Sequence, residues 1–222
     1  MDGEMELQAF FDESGEHDPV TGHLLRLHVG GVLASTEEWF IIDEQWRHAL
    51  REAGVSVFHM KDLASTPPHG EFKGWTPLRC RALLSRLLDI LAARAPKLSL
   101  INVSFPAHDA PFKKLYPNCV AQAINGVCST AFLYHHSLEV SVVFAETNSS
   151  HVHTSAFWGK VRKEVPNIGS CNGGKPQLQS ELQVADLVCY EFSHMDKVGT
   201  RLRYPLVRLL QDQKSFHIRR IP

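Results

Sequence analysis

Short apolar runs closed by turn residues alternate along this chain with longer stretches whose apolar residues recur every three or four positions. Residues 7–11 form such a run, which stops at Asp12-Glu13-Ser14-Gly15 and reads as a strand entering a turn. Residues 24–34 read as a second strand, interrupted by Gly30-Gly31, where a bulge or a close backbone contact is expected. Ser35-Thr36-Glu37-Glu38 is a capping box that opens a helix with Trp39, Ile42, Trp46, Ala49 and Ala53 on its apolar face. Residues 55–58 look like a short strand leading into His59-Met60-Lys61-Asp62-Leu63, and a Pro/Gly-rich loop follows over 65–74. Thr76 as N-cap and Pro77 at the first helical position start the next helix, which buries Leu84, Leu87, Leu88 and Leu91 and ends near Pro96.

In the second half the pattern predicts a strand at 98–105, a helix over 112–136, a strand at 140–145 and a helix over 155–164. Residues 167–176 are rich in Gly and Asn and are expected to form a loop. The last strong helix is predicted over about 178–194, and 204–222 is a weakly patterned tail with a basic end at Lys214, Arg219 and Arg220. No repeat or low-complexity linker divides the chain. The alternation favours an α/β fold, a mixed sheet with helices packed on its faces. The expected organisation is one domain over 1–222, with a core at about 7–195 and a C-terminal extension at 196–222.

Composition changes this picture little. The 222 residues are 44% hydrophobic, enough for a real core, and 23 basic residues face 24 acidic ones. That balance excludes coating of nucleic acid by bulk charge, but not a local basic groove. The acidic N-terminus has no apolar leader pattern, and no run of about 18 apolar residues predicts a membrane span, so a cytoplasmic protein is expected. The five cysteines form no CxxC pair; Cys128 and Cys189 lie in apolar runs and read as buried small hydrophobes, whereas Cys171 reads as a loop cysteine. The thirteen histidines are many for this length.

Three carboxylates stand where apolar surroundings isolate them. Asp12 follows Phe10-Phe11, Glu146 follows Val142-Val143-Phe144-Ala145, and Asp186 is the one charged residue between Gln183 and Glu191. On the last helix, Leu178, Leu182, Ala185, Cys189 and Phe192 form an apolar stripe, with Gln179, Gln183, Asp186 and Tyr190 one residue over. A carboxylate at that border is partly desolvated and needs a partner. Strand ends form the rim where ligands bind in α/β sheets, and converging carboxylate oxygens suit Mg2+ or Mn2+. The plainer alternative is that Asp12 and Glu146 are turn formers. His59 and Asp62 could face the same rim. His151 and His153 form an HxH pair, for which no further Cys or His spacing completes a zinc site, and His135-His136 read as a helix end.

The series Phe11-Asp12-Glu13-Ser14-Gly15, Val29-Gly30-Gly31-Val32-Leu33 with Glu38-Trp39, Phe58-His59-Met60-Lys61-Asp62-Leu63 and Leu182-Gln183-Val184-Ala185-Asp186-Leu187 resembles the domain-of-unknown-function 3800 family, of the RNase H-like superfamily. The resemblance spans roughly 7–195. It implies an RNase H-like sheet with Asp12, Glu146 and Asp186 as ligands of Mg2+ or Mn2+, and Glu13 or Glu181 as candidates for a fourth carboxylate. The expected function is a metal-dependent nuclease or phosphodiesterase acting on nucleic acid, with His59 or Lys61 contacting phosphate or assisting proton transfer. Two alternatives stand beside it: a non-catalytic module binding nucleic acid or protein, and a zinc hydrolase.

Overall fold

Two long antiparallel strands organise the sheet, β1 (Leu7–His17) and β2 (Leu24–Ser35), paired so that Phe10 lies opposite Val32 and Asp12 opposite Gly30. The structure is a computed structural model that describes residues 6–108, 112–135, 139–145, 155–165, 168–198 and 216–220. The turn between β1 and β2 is closed by Asp18, whose carboxylate accepts from the Val20 and Thr21 N–H groups, and by Gly22 at φ +71°. β3 (Ser99–Pro106) runs antiparallel to β2. On the other side β4 (Val140–Ala145) runs parallel to β1, and β5 (Ile168–Gly174) parallel to β4. β6 (Phe216–Arg220) adds to β3 in parallel, giving the order β5-β4-β1-β2-β3-β6. An antiparallel meander continued by two parallel strands beside β1, with helices on both faces, makes a mixed α/β sheet, as the sequence predicts.

Strand alternation sends successive side chains to opposite faces. Phe10, Val32 and Leu100 face one layer, formed by α1 (Thr36–Ala53), α2 (Met60–Ala64), α3 (Pro77–Arg94) and α6 (Ser180–Val198). Leu7, Ala9, Phe11 and Val29 face α4 (Phe112–His135) and α5 (Ser155–Glu164). The expected caps form: Ser35 Oγ accepts from Glu38 N–H and Thr76 Oγ1 from Arg79 N–H.

Five expectations are corrected. β1 does not stop at Asp12: residues 12–16 stay paired with β2, so Asp12 is a mid-strand residue whose polarity faces a cleft rather than a turn. Residues 55–58 form no strand, because their N–H groups go elsewhere: Val55 to the helical Leu50 carbonyl, Ser56 to the Glu71 carboxylate and Phe58 to the Gln183 side chain. Residues 168–174 form strand β5 rather than a loop, since main-chain pairing with β4 needs few large side chains. Cys171 is accordingly fully buried there, not a loop thiol. Leu178 precedes α6 and is 71% exposed, so it is not part of the buried stripe. The tail contributes β6, although only 216–220 of it lies within the described residues.

Candidate active site

Glycine sets how closely α6 approaches the sheet. Gly30 sits opposite Asp12, and a Cβ placed on it would lie 2.8 Å from the Cys189 Cα. The α6 backbone therefore rests directly on β2. Asp186, just under one turn before Cys189, is thereby carried over Asp12. Asp12 shares the Phe10 face of β1 by alternation, and Ser14, two residues on, reaches α6 at Ser193 (Oγ to Oγ 3.2 Å).

The two carboxyl groups hydrogen-bond to each other. Glu13 N–H donates to Asp12 Oδ1 at 2.8 Å, and Met60 N–H donates to Asp186 Oδ2 at 2.6 Å. Burial, then the charge of Asp186, pushes Asp12 up to about 8, against the Glu13 N–H and the charge of His59. Burial pushes Asp186 up to about 7, against the Met60 N–H and the hydrogen bond from Asp12, with Asp62 raising it further. Each carboxyl group makes the other harder to ionise, so the two titrate as a pair, above the ordinary carboxylate range.

The pair lies in the wall of a cleft of about 1360 Å³. His59, Lys61 and Asp62 line the same cleft, brought there by α2 and the turn before it. His59 Nδ1 is 3.3 Å from Asp62 Oδ2, and its Nε2 is 3.9 Å from Asp186 Oδ1. Gly70, at φ +54°, leaves room for Asp62; a Cβ there would come within 2.6 Å of Oδ2.

Gln183 holds the site's elements together, a role the sequence pattern did not assign to it. It is buried, and its Oε1 accepts from Trp46 Nε1 at 3.2 Å and Phe58 N–H at 3.0 Å. Its Nε2 donates to the Pro176 carbonyl at 2.7 Å. One side chain thus ties the segment carrying His59 and the loop before α6 to the helix carrying Asp186. Its place one turn before Asp186, at the same polar border, was the available signal.

The fourth-carboxylate candidates are not brought to the pair. Glu13 belongs to the opposite face of β1 by alternation; its charge acts on Tyr116 there and on Cys189 of α6, while its segment still borders the cleft. Glu181 interacts with Asp43 and Arg47 of α1. Asp62 is the further carboxylate near Asp186. Glu146, His136, His151 and His153 lie outside the described residues, and His135 is the last residue of α4.

The donor set suits a hard divalent cation. Two carboxylates in contact offer oxygens only, and Mg2+ or Mn2+ keeps most of its waters while binding through one or two carboxylates. The upward shift of both carboxyl groups marks where positive charge is needed. Among the described residues no group of three or more His, Cys, Asp or Glu side chains is arranged to hold a metal ion.

No family model matches the chain, and no curated protein matches it. Among solved structures it is similar to the ribonuclease H2 of Pyrococcus horikoshii, at 15% identity over 88% of this chain and 78% of that one, with a TM-score of 0.43. No residue role passes from that likeness to this chain. Fold and site together define an α/β protein, a mixed sheet with helices on both faces, with a partly buried acidic pair in the wall of a cleft. No helix among the described residues is long and apolar enough to cross a membrane.

Proposed function

We propose that the protein is a phosphodiesterase that cleaves nucleic acid with the help of Mg2+ or Mn2+ held by Asp12 and Asp186. The observation that carries this reading is the contact between two desolvated carboxyl groups in the wall of a cleft. The resemblance of the chain's motifs to the domain-of-unknown-function 3800 family supports the same reading, and Glu146 is proposed as a third ligand.

The N–H groups of Glu13 and Met60 fix the orientation of the two carboxylates. A bound ion supplies charge neutralisation for a phosphodiester and lowers the pKa of water. His59, oriented by Asp62 and near Asp186, is placed to hold or pass a proton, and Lys61 offers a cation to a phosphate at the cleft wall. Asp12→Asn is expected to abolish Mn2+-dependent cleavage across a panel of single- and double-stranded DNA and RNA. Unchanged cleavage contradicts the proposal.

A second reading, a binding module without catalysis, is favoured by the mutual hydrogen bond that satisfies the pair without an ion. It predicts no stoichiometric Mn2+ uptake in calorimetry. Uptake that Asp186→Asn abolishes excludes it.

A further inference from the structure

The cleft continues past the acidic pair along α6. Asp186, Tyr190 and His194 recur at intervals of four, and all three line it. At 1.5 Å per residue, Tyr190 lies about 6 Å and His194 about 12 Å beyond Asp186 along the helix. The Tyr190 and His194 rings are stacked, 3.9 Å between centroids and 20° between planes. The stack is fixed in place: Tyr190 packs on the core layer at its inner side, and His194 Nδ1 lies 2.9 Å from the Tyr190 carbonyl and 3.2 Å from Ser193 Oγ. Ser193 in turn meets Ser14 of β1. Immobilised rings on a cleft wall lose little further freedom when a flat ligand adds to them.

We propose that the Tyr190–His194 pair is a base-stacking subsite for single-stranded nucleic acid, in which an unpaired base adds a third ring to the stack while its neighbouring phosphate lies toward Asp12 and Asp186. A base within a duplex has both faces covered, whereas every unpaired base offers a face to an aromatic ring. Lys61 and His17, on the same cleft, supply cationic or hydrogen-bonding groups for the backbone. The subsite deepens the proposed nuclease reading by naming its substrate as single-stranded, and its test needs no cleavage.

Fluorescence anisotropy of a labelled short oligothymidylate, and of the matching abasic strand, is measured in EDTA with the full chain. Wild type is expected to bind the base-bearing strand more tightly, and His194→Ala to lose affinity for it by roughly 5- to 150-fold, the range for one stacked base, while abasic binding is unchanged. His194→Phe, which keeps a ring and removes the imidazole nitrogens, is expected to retain the preference. Equal loss on both strands in His194→Ala overturns the proposal, as does a His194→Phe variant as weak as His194→Ala, or a wild type without preference for the base-bearing strand. Thymidine monophosphate competing as well as the strand would assign the subsite to free nucleotides and overturn the single-strand reading. Since binding is read without metal, failure of Asp12→Asn to affect cleavage leaves this result independent.

Discussion

Asp12 and Asp186 each lie where water is scarce, and each raises the other's need for a proton or a cation. Replacing Asp12 with Asn removes one partly buried acid while keeping a hydrogen-bonding side chain. Metal-free Asp12→Asn is expected to melt roughly 2–4 °C higher than wild type, the shift of about 1 kcal/mol in a chain of this size. It should also lose the rise in melting temperature that Mn2+ gives wild type, read by differential scanning calorimetry. Gln183→Leu leaves Trp46 Nε1, Phe58 N–H and the Pro176 carbonyl without their partner, and each buried group costs about 1–3 kcal/mol. A loss of at least about 2 kcal/mol in urea unfolding is expected. The carboxylates were legible in the sequence because charge inside an apolar run is conspicuous. The role of Gln183 was not, because its partner Phe58 lies 125 residues away and nothing local reports that contact.

Among elements, β2 and α6 set the geometry of the pair. Gly30→Ala forces a methyl group against the Cys189 backbone, an overpacking that costs about 1–3 kcal/mol. Because Asp186 rides on the same helix, Gly30→Ala is expected to weaken Mn2+ binding in calorimetry although no ligand is changed. Most elements were legible where helical or apolar periodicity is strong, as in the helices opened by Ser35 and Thr76. β5 was not, since its Gly- and Asn-rich residues carry loop chemistry and its pairing comes from β4. The continuation of β1 through Asp12 was hidden for a related reason. Its residues 12–16 are polar on both faces, and only pairing with β2 holds them extended.

For the whole molecule, two sets of acids give opposite slopes of stability with pH. Asp12 and Asp186 are raised from the ordinary value of 3.8 to about 8 and about 7. Below pH about 4 both folded and unfolded states hold these protons; above it the unfolded chain releases them first, so metal-free stability falls as pH rises toward 8. Glu38 acts the other way. Its burial favours the acid, but hydrogen bonds from Lys97 at 2.5 Å and Arg94 at 2.6 Å, with their charges, hold it below the ordinary 4.5. That contribution is present above pH about 4.5 and is lost as pH falls through the lowered folded value. Metal-free thermal unfolding is therefore expected to show greatest stability in mildly acidic buffer. Mn2+ should restore stability chiefly on the alkaline side, where it replaces the proton. The mixed sheet with helices on its faces followed from the order of elements, while the meeting of Asp12 with Asp186 depends on a helix crossing that sequence order does not encode.

The central claim is that these two carboxylates share a divalent ion. Anomalous diffraction from crystals soaked in Mn2+ tests it most directly. A peak is expected within ligand distance, about 2.0–2.1 Å as for Mg2+, of oxygens from both Asp12 and Asp186, absent in Asp12→Asn crystals. Full soaking with no peak between the two residues, their carboxyl groups still hydrogen-bonded to each other, would contradict it.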